Sequence, residues 1–80
     1  MKYDLKFQIY GREEASDLAV FETDLPPTVT TDVLMPIMAW HKEEDAMASH
    51  LLTARQIKAI ERLAMTKLPR NLMLYISCYL

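Results

Sequence analysis

The sequence predicts an α+β fold of β-β-α-α-β order: a three-stranded antiparallel sheet with two helices packed on one face. Three observations point there. The opening segment alternates apolar and polar residues with period two, a capped stretch in the middle repeats its apolar residues at helical spacing, and the tail is uncharged and carries aromatics. The 80 residues make one domain, 1-80, with 51% hydrophobic side chains and a single glycine. A chain this short buries only about 60% of its unfolded surface, so the core is small.

Taken in order, Tyr3, Leu5, Phe7 and Ile9 face one way, and Lys2, Asp4, Lys6, Gln8 and Tyr10 the other, as in a strand with one wet face. GREEAS, Gly11 to Ser16, reads as a polar connection, and DLAVFET, Asp17 to Thr23, as a second strand returning in a hairpin. Leu25, Pro26 and Pro27 stop the sheet, because proline donates nothing to a ladder. Thr30, Thr31 and Asp32 offer N-caps for a first helix through VLMPIMAWHK, with Leu34, Ile37, Met38 and His41 on one face. Pro36 falls where an early helical N–H is needed, which delays or distorts the start.

The second helix has the clearer signal. Thr53 and Gln56 have capping-box spacing, and Leu52 and Ile57 form a hydrophobic staple around the same cap. From Thr53 the helix runs to about Leu68 and stops at Pro69, with Ile57, Ile60, Leu63, Ala64 and Leu68 as one apolar stripe. In the tail NLMLYISCYL, length, aromatics and the Pro-Arg-Asn turn favour a strand, and the Leu and Met content keeps a helix as the competing reading. Assembled, the fold should bury Leu5, Phe7, Ile9, Leu18, Val20, Leu74 and Ile76 against Ile37, Ile60 and Leu63.

The nearly neutral net charge of −2 hides a polarised chain. Through His50, four bases face ten acids, a formal −6. Beyond it Arg55, Lys58, Arg62, Lys67 and Arg70 face only Glu61, a formal +4. Polarity of this kind indicates where a charged partner would dock.

Several chemistries are excluded or unsupported. One glycine cannot build a P-loop, a dinucleotide fingerprint or a nucleophile elbow. The single cysteine, Cys78, rules out an intramolecular disulfide and a cysteine zinc cluster. His41, Glu44 and Asp45, with His50 further on, have the residue types of a zinc or manganese site, but no second element supplies the remaining ligands. The expectation is therefore a protein that is no enzyme and takes neither metal nor cofactor. No apolar run approaches a membrane span, and MKYDLKFQ is unlike a signal peptide, so the expected setting is cytoplasmic.

The segment LTARQIKAIERLA, Leu52 to Ala64, resembles the opening helix of LuxR-type DNA-binding domains, in which a Leu-Thr cap leads into an apolar stripe. The resemblance implies a turn and a recognition helix next. Here Pro69 and an apolar tail follow instead.

Two surfaces remain as candidate binding sites. One is the basic helix face of Arg55, Lys58, Arg62 and Arg70, which could pair with carboxylates or follow phosphates, and which is also the ordinary wet side of an amphipathic helix. The other is the outward sheet face, where Lys2, Lys6 and Tyr10 join Met73, Tyr75 and Tyr79. Together they lead to the expectation of a small interaction module that binds and occludes another protein or protein complex, with a homodimer possible. Compact chains without catalytic motifs are frequent among phage and mobile-element accessory proteins, and inhibitors of the anti-CRISPR kind are one such group. The alternative is a small nucleic-acid-binding protein using the helix or the tyrosine-bearing sheet.

Overall fold

In the computed structural model, which describes residues 5–79, the first and last strands form the centre of the sheet. Strand β1 (Lys6–Arg12) pairs antiparallel with β4 (Met73–Tyr79) along its whole length, from Lys6 opposite Tyr79 to Arg12 opposite Met73. Strand β2 (Ala19–Asp24) flanks β1, and β3 (His50–Leu51) flanks β4, giving the order β2-β1-β4-β3. The sheet therefore has four strands, the extra one being the two-residue β3, and the α+β class stands. The assignments of Lys2, Tyr3, Asp4 and Leu80 to strands lie outside the described residues.

Alternation decides the faces of the central pair. Phe7, Ile9, Leu74 and Ile76 are buried on the inner side, with Cys78 half-buried, while Tyr10, Met73, Tyr75 and Ser77 occupy the outer side. Against the inner side pack Leu34 and Met38 of helix α1 (Thr31–Met38) and Ile57 and Ile60 of helix α2 (Ala54–Ala64). Leu25, Val29, Trp40, Ala46, Leu52 and Leu68 close the core from the connections. Trp40 lies near Phe7 and tilts against His50, and its buried indole N–H meets no acceptor among the described residues.

Gly11 is not in the connection. It is a buried residue of β1, opposite Phe21 on one side and Leu74 on the other. Its φ is not positive, so space rather than backbone geometry selects glycine here. The displacement carries into β2, where the register with β1 shifts between Gly11 and Arg12. Phe21 and Thr23 take the inner side, opposite Gly11 and Ile9, and Leu18 and Val20 are left 75% and 58% exposed. Both had been expected in the core. A one-residue change of parity exchanges the two faces of a strand.

Both helices end earlier than the apolar pattern does. Thr30 caps α1, which contains Pro36 and stops at Met38. Ala39 then turns left-handed (φ 58°), and Trp40 N–H reaches back to the Met35 carbonyl at 3.0 Å. His41 is consequently outside the helix and exposed. The acidic run that follows is a short 3-10 helix, Glu43–Met47, fastened by the Asp45 carboxylate, which accepts from the amides of His41 (3.0 Å) and Lys42 (3.4 Å).

Helix α2 begins as its sequence indicates. Thr53 N–H donates to Gln56 Oε1 at 2.9 Å, Gln56 N–H donates to Thr53 Oγ1 at 3.2 Å, and Leu52 and Ile57 are both buried. It ends at Ala64 instead of Leu68. Met65 is left-handed (φ 52°), and Thr66 N–H bonds the Glu61 carbonyl at 3.2 Å. Leu68 still fills the core, from the connection. Leu63 is 37% exposed rather than buried, because it lies roughly 90° round the helix from the centre of the Ile57–Ile60–Ala64 stripe.

Candidate functional site

The end of α2 gathers most of the charge beyond His50 into one place. Lys58 and Arg62 project from the helix one turn apart, and the segment after Met65 brings Lys67 and Arg70 back beside them. With Glu61 and Met65 these residues line a shallow, open groove of about 800 Å³. Lys58, Arg62, Lys67 and Arg70 are all exposed. Arg55 is also exposed and shares the helical face, but does not line the groove.

Glu61, the one carboxylate in the groove, is already engaged. Its Oε2 accepts from the Leu68 amide at 2.7 Å, and its Oε1 pairs with Arg70 Nη2 at 2.6 Å. Arg70 therefore works partly as a strut for the returning segment. Lys58, Arg62 and Lys67 make no ion pair among the described residues. The location also has a structural cause, since the unsatisfied carbonyls at the C-terminal end of a helix favour cations.

The same hydrogen bonds shift the acid behaviour of the fold. The Leu68 amide first, then Arg70, holds the Glu61 carboxyl below its ordinary 4.5, and partial burial opposes them. The His41 amide, helped by that of Lys42, likewise holds Asp45 below 3.8. A carboxylate with a depressed folded pKa binds its proton more weakly folded than unfolded. Its stabilisation is complete above the unfolded value and drains away as pH falls through the folded one. In urea titrations these two groups should leave stability level between about pH 6 and 5 and lower it below about pH 4.5. Glu61→Gln should be less stable than wild type at pH 6 and lose less on acidification, and an unaltered pH profile would refute this role for Glu61.

The outer sheet face forms the second surface, and cross-strand pairing sets it row by row. Glu22, Tyr10, Tyr75 and Leu51 make one row across all four strands. Asp24, Gln8 and Ser77 make the next, and Gln8 Nε2 lies 3.3 Å from Ser77 Oγ. Lys6 sits opposite Tyr79, whose phenol is raised above its ordinary range by burial and then by the Asp24 carboxylate. The Tyr10 and Tyr75 rings stack with centroids 5.1 Å apart and planes 8° from parallel. Arg12 was missed in the sequence because it was assigned to the connection. Its Nη2 and Nε donate to the Tyr75 hydroxyl at 2.7 and 3.2 Å, and its Nη1 pairs with Asp17 at 3.1 Å. The Tyr75 hydrogen bond, and then its partial charge, hold the guanidinium still more firmly protonated.

Ring orientation limits what this face can do. Two rings lying flat and side by side on a sheet would need centroids about 7 Å apart. At 5.1 Å and nearly parallel, each ring covers one face of the other, and the Arg12 guanidinium lies 5.0 Å from the Tyr75 centroid. A platform for stacking nucleobases needs exposed ring faces. The sheet brings together Lys6, Tyr10, Tyr75 and Tyr79, whereas Lys2 lies outside the described residues.

The sequence-level metal ligands are put to other uses. Asp45 caps backbone amides, and His50 Nε2 lies 2.6 Å from the Asp45 carbonyl. No three His, Cys, Asp or Glu side chains converge among the described residues. Burial raises the pKa of the Cys78 thiol, which disfavours the thiolate. After α2 comes β4, where a LuxR-type domain would place its recognition helix. No helix among the described residues is long and apolar enough to cross a membrane. No protein-family model, no curated protein and no solved structure matches this chain.

Proposed function

We propose that the protein is a non-enzymatic interaction module that occludes a protein partner by holding an acidic stretch of it in the groove at the end of α2. One observation carries the reading: Lys58, Arg62, Lys67 and Arg70 converge from two segments on a single groove whose only carboxylate is occupied, in a chain whose net charge is negative. Charge concentrated in this way speeds and orients docking to a complementary surface. Nucleic acid has less support, because binders usually carry a basic excess and the stacked tyrosines cover ring faces that bases would need. The biological setting we favour is a phage or mobile-element inhibitor of the anti-CRISPR kind, to which a small chain without catalytic machinery is suited.

The test uses a peptide rich in Asp and Glu, titrated at low ionic strength. Amide NMR signals of residues 58–70 should move. Combining Lys58→Glu with Arg62→Glu should weaken the peptide by at least about tenfold without unfolding the protein, since both side chains are exposed. Tighter binding of a single-stranded or duplex oligonucleotide would turn the reading to nucleic acid. No response to either probe would end the groove's candidacy.

A further inference from the structure

We infer that the groove's ligand is an acidic peptide carrying a large apolar residue, and that Met65 is the anchor on which this residue rests. The inference deepens the function proposed above and rests on it. Three features meet at this one residue. Met65 is 91% exposed, more than any other large apolar side chain described. It occupies a left-handed position (φ 52°), where glycine would sit without strain and is the common choice. It also lies within the groove formed by Lys58, Arg62, Lys67 and Arg70.

A bare polyanion would require only the cations. A strained, exposed thioether among them is explained by a ligand with something apolar to bury. Backbone strain retained at an exposed position is a reason to look for function there. Methionine suits the task, being unbranched, polarisable and able to fit side chains of different shape. The groove, at about 800 Å³, has room for one large side chain and its neighbours. Carboxylates on either side of that residue would reach the flanking cations, with Arg70 already held in place by Glu61. The chemistry so defined is an acidic segment with an embedded aromatic or aliphatic residue.

A role confined to ending the helix predicts something different. In that case glycine at position 65 would only relieve strain, and binding would not change. The two roles separate in one experiment on the full chain with three probes. These are a peptide of Asp and Glu around a single Trp, the same peptide with Ser in place of Trp, and a single-stranded oligonucleotide. The wild type should bind the Trp peptide about tenfold more tightly than the Ser peptide, a difference of about 1.4 kcal/mol. Met65→Gly should melt at a higher temperature yet lose this preference, and Met65→Leu should keep it. Equal binding of the two peptides, or an undiminished preference in Met65→Gly, overturns the anchor and leaves the acidic-segment reading standing. Failure of both peptides on the wild type overturns that reading as well, and an oligonucleotide that outcompetes both reassigns the groove to nucleic acid.

Discussion

Phe7→Ala should remove about 3–5 kcal/mol of stability, the range for truncating a buried aromatic ring. Phe7 is 1% exposed on a central strand, and its ring lies 6.3 Å from that of Trp40 between centroids. Little nearby can collapse into the space, because Ile9, Leu34, Ile60, Leu74 and Ile76 are themselves fully buried in the same core. At roughly 0.05–0.15 kcal/mol per residue a domain of this size holds about 4–12 kcal/mol, so one ring accounts for a large share of the total. Trp40, the single tryptophan, is 8% exposed and reports the transition directly. Its emission should shift to the red at a far lower urea concentration in the variant. A loss of under about 1 kcal/mol would mean that the ring is not packed as described.

Gly11→Ala should also destabilise, although Ala is the better strand residue. The substitution gains about 0.4–1 kcal/mol by restricting the unfolded chain. Against this, a Cβ at position 11 would lie 2.9 Å from Leu74 Cδ2, 3.0 Å from Leu72 Cδ1 and 3.3 Å from Leu72 Cβ. Leu74 is 1% exposed and cannot swing away freely, and the Leu72 Cβ moves only with its backbone. Overpacking of this type costs about 1–3 kcal/mol, so the clash outweighs the entropy gain. The melting temperature should fall by roughly 4–8 °C for each kcal/mol lost. A variant as stable as wild type would show that β1 and β4 can separate slightly at no cost. Pairing Gly11→Ala with Leu72→Ala should restore part of the loss if the contact with Leu72 is its cause.

What could be read from the sequence and what could not have the same origin. Period-two alternation is unambiguous where large apolar and polar residues take turns, as from Lys6 to Tyr10, and β1 and β4 follow it. The Thr53–Gln56 box is a local hydrogen-bonded device, so α2 starts where its sequence indicates. In DLAVFET apolar residues lie on both parities, and the choice between Val20 and Phe21 is made by the register with β1, which sets Phe21 opposite Gly11 on another strand. The end of α2 is likewise set from outside the helix, by the returning segment that Glu61 ties down through Leu68 and Arg70. For this reason the basic face was legible, whereas the inclusion of Lys67 and Met65 and the exclusion of Arg55 were not. Arg12 was hidden by the same misplaced boundary that sent Gly11 into the connection.

The pairing of β1 with β4 also governs how the chain acquires its shape. Gln8 and Ser77 meet across the sheet although 69 positions separate them. During synthesis the central strand therefore waits, its apolar side unsatisfied, until nearly all of the domain has left the ribosome, and local pieces such as the β1–β2 hairpin have no partner sheet to rest on. Closing so long a loop costs entropy and makes folding cooperative and comparatively slow for the size of the domain. Interrupted translation should yield no half-built intermediate with a usable groove, because Lys67 and Arg70 are positioned on the approach to the last strand. Binding competence and completion of the sheet would then arrive as a single event.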